Sequence, residues 1–375
     1  MQVSLTLSHK NTKRFNQFKN HYDRFVDTSA TPTYSTLNVG LASVLSSYKY
    51  YCSCVYGTKA YFFPYNETRI LVIDSTDDSF YFIGNFSGSA KFLNANLAPN
   101  GYIYADGNYG SILKFNPNDD TYTTFGSKPT SGYGRSHIVG DKIYMLLQNS
   151  APLQFKVIDT TNDTLYDYFP TGGLSTQIYL TINVGINNCL YLMRRLATTA
   201  GIDRLMKVNL TTNTVTYIDV PSVTTLLDPW SSQGTVHPNG KIYYPSAIEN
   251  RWLIVDTLNG DAISYVNNDT PTNLTQLKSV GSALGANGNI YSTPFNEPFS
   301  VADSQELNIL TNSSTYKNDS STLETANARL WYCPVTTPNG NIYCAGFDTG
   351  KVLKISFNNA QDFDSNFTNS QWINK

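Results

Sequence analysis

Charge is what this chain of 375 residues has least of, with 26 Lys and Arg set against 28 Asp and Glu for a net charge of -2. Without a basic stripe, and with a pI near 6.1, the chain has no means of neutralising a phosphate backbone, so nucleic acid is not an expected partner. Long apolar runs are missing as well, and no transmembrane helix is expected. The opening Met1-Gln2-Val3-Ser4-Leu5-Thr6-Leu7 is too short and polar to read as a secretory leader. Cysteine is sparse and odd in number: Cys52, Cys54, Cys189, Cys333 and Cys344 show neither metal-ligand spacing nor a paired framework. Free buried thiols in a reducing compartment are therefore expected. There is no Gly-X-Ser-X-Gly elbow, no His-Glu-X-X-His, no phosphate loop and no dinucleotide fingerprint. No catalytic residue, cofactor or metal site is assigned.

What the chain does have is a repeat. Tyr61, Tyr104, Tyr144, Tyr191, Tyr243, Tyr291 and Tyr343 each end an aliphatic-Tyr pair or its near equivalent, at intervals near the length of a four-stranded propeller blade. The clearest copies read Pro99-Asn100-Gly101-Tyr102-Ile103-Tyr104, Pro238-Asn239-Gly240-Lys241-Ile242-Tyr243 and Pro338-Asn339-Gly340-Asn341-Ile342-Tyr343. Asn-Gly is a strong hairpin signal because both residues tolerate positive φ. A third strand then closes on Asp or Asn, as at Asp74, Asp159 and Asp256, and a polar turn leads into a last strand such as Thr121 to Phe125. The periodic aspartates read as turn caps, not general acids. In the sixth copy Thr311 stands at what reads as the Asp position, which makes that copy the weakest.

The expected fold is all-β: a seven-bladed β-propeller of four-stranded blades. The last copy has strands at Leu330 to Val335, Ile342 to Ala345 and Lys351 to Phe357 but no good fourth, while Thr33-Tyr34-Ser35-Thr36-Leu37 resembles the outer strand of the second copy. The N-terminal strand is therefore expected to close the last blade and remove the open edge. The chain divides into an N-terminal basic amphipathic arm (1–32), the propeller (33–357) and a C-terminal tail (358–375). Within the arm, Phe15, Phe18, Tyr22 and Phe25 recur on one helical face among Lys10, Lys13, Arg14, Lys19 and Arg24. Two readings stay open for it, a helical or extended segment packed on the propeller itself and an anchor to a larger assembly. Cys333 and Cys344 fall on adjacent strands of one blade, and His137 and His237 read as repeat-equivalent turn or inner-strand residues.

Short, similar turns join first to second and third to fourth strands, so one face of the propeller should be uniform. The varied loops open on the other, and they carry Tyr65, Tyr133, Arg135, Arg194, Arg195, Trp230, Phe295 and Phe299, residue types favoured at interface hot spots. These eight form the candidate binding set.

The stretch Tyr61-Phe62-Phe63-Pro64-Tyr65-Asn66 through Leu71-Val72-Ile73-Asp74, with Pro238-Asn239-Gly240-Lys241-Ile242-Tyr243, resembles the Pro-Asn-Gly-Lys-Ile-Tyr repeat propellers of bacteria, phage tails and large DNA viruses. Only the first copy carries the Pro-Tyr-Asn element. The resemblance implies a habit of particle or surface association and no catalytic residue. The expectation is a non-enzymatic interaction module in a virus or phage particle, localised to the virion or otherwise cytoplasmic or released extracellularly without a signal peptide, and contacting other particle subunits and a host-surface glycan or receptor. The alternatives are a secreted propeller enzyme, lactonase-like or a polysaccharide lyase, and a cellular peptide-binding scaffold.

Overall fold

Hydrophobic third strands such as Ile70-Leu71-Val72-Ile73, buried on both faces, cannot belong to a sheet that meets water on one side. In the computed structural model they lie between neighbouring sheets. The structure describes residues 26–40, 48–107, 111–126, 133–147, 152–173, 179–194, 202–221, 234–245, 251–267, 279–294, 304–317 and 331–358. These form seven antiparallel four-stranded sheets, the blades of a β-propeller, numbered 1 to 7 from the sheet that starts at Tyr50. Blade 1 shows the pattern: inner strand Tyr50–Tyr56, second Lys59–Pro64, third Ile70–Asp74, outer Phe80–Ile83. There is no single central core. Seven apolar clusters each join one blade to the next, and the set closes with Tyr50, Phe62 and Leu71 of blade 1 packed on Tyr332, Tyr343 and Val352 of blade 7. Outer strands face water and turn polar, as in the exposed Thr121-Tyr122-Thr123-Thr124 of blade 2.

Ring closure follows the expected route. Strand Pro32–Asn38 pairs along its whole length with Lys351–Phe357, from Pro32 opposite Phe357 to Asn38 opposite Lys351. It forms the outer strand of blade 7, whose other members come from the C-terminal end of the fold. The turn that would join third to outer strand is here split between two distant segments. Elsewhere the residue ending the third strand caps that turn: Asp74 accepts from Thr76 N and Oγ1 at 3.1 and 2.7 Å, and Asp159 does the same for Thr161. In blade 7, Asn358 accepts from Thr31 N and Oγ1 at 2.7 and 3.1 Å across the chain break. The cap in blade 6 is Asn308, which receives Leu310 N and Thr311 N. Thr311 is thus a donor within the turn, a correction to its reading as the Asp-equivalent, and the turn of blade 6 is capped like the others.

The repeated Tyr has a second role that its spacing alone did not show. In blade 2, Asn100 Nδ2 donates to Tyr104 Oη at 2.9 Å and to Thr160 O of blade 3 at 2.6 Å. Tyr104 Oη donates to Asp163 Oδ1 at 2.6 Å, and Lys114 reaches the other oxygen of Asp163. The same latch joins blade 4 to blade 5 through Asn187, Tyr191, Lys207 and Asp261. It recurs from blade 7 to blade 1 through Asn339, Tyr343, Lys354 and Asp78. Asp78, Asp163 and Asp261 all sit at positive φ, 62°, 58° and 63°, where the turn needs a residue that tolerates the left-handed region and Asp does so better than most. Turn chemistry and inter-blade fastening therefore select the same side chain.

Candidate functional site

On the loop-rich face, inner strands of five blades open with a break in register, between Tyr50 and Cys52, Tyr133 and Ser136, Tyr179 and Thr181, Ser279 and Ser282, and Tyr332 and Val335. A bulge of this kind inserts an extra residue and re-aims side chains at a sheet edge. Tyr51 lies within the first bulge, Arg135 within the second, and Tyr332 at the edge of the last. These strands line the channel, so all three side chains converge at its mouth.

Arg135 is the centre of the cluster. Its Nη1 donates to Leu93 O at 2.7 Å, in the segment entering blade 2, and its Nη2 donates to Tyr332 Oη of blade 7 at 2.6 Å. The guanidinium carbon stands 4.7 Å from the centre of the Tyr51 ring of blade 1. A single cation of blade 3 thus touches three other blades. Rings extend from this point: Tyr51 to Tyr332 at 4.4 Å, Tyr51 to Tyr65 at 5.0 Å, Tyr332 stacked on Phe347 at 5.3 Å, and Phe347 edge-on to Tyr48 at 4.6 Å. Tyr332 and Phe347 are buried, while Tyr48, Tyr51 and Tyr65 are partly exposed. The buried pair supports a platform whose outer members reach solvent.

The platform is held from below. Asp106, 1 % exposed, accepts from Asn94 Nδ2 at 2.8 Å and from Ser136 Oγ at 2.6 Å, and Asn96 Nδ2 donates to the same Ser136 hydroxyl. Ser136 adjoins Arg135, so this buried network fixes the bulge that presents the guanidinium. At the seam, Lys49 is 2 % exposed, its Nζ donates to Asp348 O at 3.0 Å, and Tyr48 N donates to Asp348 Oδ1. Burial pulls the Lys49 pKa down, with Asp348 and Glu67 opposing the shift. Backbone strain gathers here too. Among the described residues, and apart from those of the short turns on the uniform face, the non-glycine residues at positive φ are Tyr48 (66°), Ala90 (54°) and Cys333 (47°). All three flank the platform, and none is an Asn or Asp that adopts this region readily.

Tyr65 and Arg135 from the sequence-derived set are brought together, with Tyr51 between them. Tyr133 opens the inner strand of blade 3 and Arg194 ends the second strand of blade 4, and their side chains are outside the described set. Arg195, Trp230, Phe295 and Phe299 lie outside the described residues, as do Phe15, Phe18, Tyr22 and Phe25 of the arm. Sequence reasoning missed Tyr48, Tyr51, Tyr332, Phe347 and Asp106. A signal existed in Tyr50-Tyr51-Cys52 and Trp331-Tyr332-Cys333, where two successive aromatics break the alternation of a strand at equivalent positions and mark the bulge.

Other reactive groups are placed for structure. All five cysteines are buried and none is in a disulfide, and burial pushes the thiols of Cys52 and Cys333 up. His137 lies in the inner strand of blade 3 and His237 in the turn that follows the inner strand of blade 5, both toward the uniform face. Burial pushes each imidazole down to about 4. Among the described residues no group of three or more His, Cys, Asp or Glu converges as metal ligands, and no helix is long and apolar enough to cross a membrane.

No protein-family model and no curated sequence matches the chain. Solved structures do match in shape. A streptogramin B lyase superposes with a TM-score of 0.65 at 16% identity, over 87% of this chain and 98% of the other. Virginiamycin B lyase from Staphylococcus aureus gives 0.67 at 12% identity, over 87% and 99%. The extracellular domain of a hybrid two-component system from B. thetaiotaomicron gives 0.62 at 13% identity, over 86% of this chain and 41% of that one. At these identities the likeness is one of fold, and function must be argued from the site.

Proposed function

We propose that the chain is a non-enzymatic interaction module that holds a partner at the loop-rich mouth of its channel, as a component of a virus or phage particle. The observation that carries the binding reading is the Arg135 cluster, in which one guanidinium, bulged strands from three blades and strained backbone hold partly exposed tyrosines in place. Tyr and Arg on a rigid, desolvated base are what energetic hot spots are made of. Turnover is less well served. The thiols nearest the platform are raised by burial, and the two propeller histidines lie at strand ends toward the other face.

Particle association is what the repeat resemblance contributes, and the place where the chain enters the fold bears only on orientation. Asp27 N donates to Ala286 O and Asn287 Nδ2 donates to Ala30 O, both on the uniform face of blade 6. Residues 27–30 therefore lie on the face opposite the tyrosine platform. Attachment through the arm would leave the platform directed outward.

The test is surface plasmon resonance of the immobilised chain against purified particle subunits and host-surface extracts, with Tyr51→Ala and Tyr65→Ala beside the wild type. Each substitution is expected to weaken the partner's binding roughly tenfold, about 1.4 kcal/mol. Undiminished binding by both variants would move the interface off this face.

A further inference from the structure

Resting on that reading, we infer that the ligand of the platform is an uncharged saccharide, whose ring lies on the partly exposed surfaces of Tyr51 and Tyr65. The reasoning starts from charge. Among the described residues, the cations beside the platform each serve a protein acceptor: Arg135 donates to Leu93 O and Tyr332 Oη, Lys49 to Asp348 O, Lys91 to Gly88 O at 2.5 Å, and Arg69 stands 3.6 Å from Glu67. An anion bound at Arg135 or Lys49 would compete with bonds the fold is built on. Arg135 is a positioning residue, and electrostatics give a ligand little purchase.

Attraction must then come from ring surfaces and hydroxyls. The solvent-reaching members are all tyrosines, Tyr48, Tyr51 and Tyr65, while the purely apolar Phe347 is buried beneath them. A peptide-binding groove of the apolar kind would expose aliphatic or Phe side chains. Tyrosine instead offers a flat face with a polar rim, which matches a pyranose ring with its axial C–H face and peripheral hydroxyls. The Tyr51 and Tyr65 rings are 5.0 Å apart and inclined by 32°, in contact with each other, so what they offer a ligand is one continuous aromatic surface. Saccharides bind weakly and tolerate little ordering cost, and this site is ordered in advance by its bulges and by the Asp106 network.

The experiment is saturation-transfer NMR followed by calorimetry, using neutral hexose and N-acetylhexosamine oligosaccharides beside sialylated and sulfated counterparts. Wild type is compared with Tyr51→Ala, Tyr65→Ala, Tyr65→Phe and, as a control on an exposed outer strand, Tyr122→Ala. Binding of a neutral member is expected, insensitive to added salt. It should fall about tenfold in either alanine variant, survive largely in Tyr65→Phe, which keeps the ring, and be unchanged in Tyr122→Ala. Should Tyr51→Ala lower the melting temperature, the Tyr65 pair decides alone. Binding confined to the anionic glycans, or lost as salt is raised, overturns the inference. So does the absence of any saccharide binding while a protein partner still depends on Tyr51 and Tyr65, a result that leaves the interaction reading standing. A partner indifferent to both tyrosines removes the two together.

Discussion

Gly107 shows how tightly the mouth is assembled at the scale of one residue. A Cβ built there would stand 1.5 Å from Lys91 O and 3.0 Å from Phe92 Cα, so the backbone leading to Leu93, whose carbonyl receives Arg135, would have to move. Gly107→Ala is expected to destabilise by about 2 kcal/mol or more, in the range of core overpacking. It should also weaken ligand binding, although the new methyl touches no ligand. Denaturant titration with binding measured on the folded fraction checks both. Titration gives a second residue-scale prediction. Burial holds His137 and His237 neutral with pKa values of about 4, whereas an unfolded histidine titrates near 6.5. The folded state binds the proton less readily, so this stabilisation is complete above about pH 6.5, declines as pH falls toward 4, and changes little below that. By linkage each site is worth roughly 3 kcal/mol across that window. The urea midpoint of wild type should fall from pH 7 to pH 4, and His137→Gln should flatten part of the slope.

The latch between blades is the element at which sequence and stability meet. Lys354 and Asp78 have side chains 16% and 31% exposed, against 58% and 63% for the surface pair Arg204 and Asp219. Geometry is good in both pairs, and burial decides between them. Asp78→Asn, which unpairs Lys354 at the closure of the ring, is expected to cost about 2 kcal/mol, whereas Asp219→Asn should leave the thermal midpoint unchanged. Much of this element level was legible. The Tyr spacing gave seven blades, Asn-Gly gave the inner turns, and Thr33 to Leu37 gave the closing strand because it repeats the pattern of Thr121 to Phe125. What remained hidden depends on register. That Tyr104 reaches Asp163 and that Arg135 reaches Tyr332 are contacts between residues far apart in sequence. They exist only once neighbouring blades are set at their proper offset. A bulge hides a site in the same way, since one extra residue changes the face to which every later side chain points.

For the whole molecule, closure makes the two faces unequal. The uniform face is built of capped turns, and it receives the chain at residues 26–31. The opposite face holds the bulges, the backbone strain at Tyr48, Ala90 and Cys333, and the guanidinium that ties blades 7, 1, 2 and 3 together. A propeller is a rigid ring, and a rigid ring can fasten by one face while presenting the other. Of the candidate set from the loops, Tyr65 and Arg135 join this picture, and the side chains of the other six lie outside the described residues.

Hydroxyl-radical footprinting of the chain, free and within its native assembly or ligand complex, tests the central claim most directly because every tyrosine reports at once. Protection is predicted at Tyr51 and Tyr65, with Tyr122 and Phe80 on the outer strands, both 41% exposed, oxidised as in the free chain. Protection at Tyr122 and Phe80 with Tyr51 and Tyr65 unchanged would place the partner on the rim of the propeller and contradict the account.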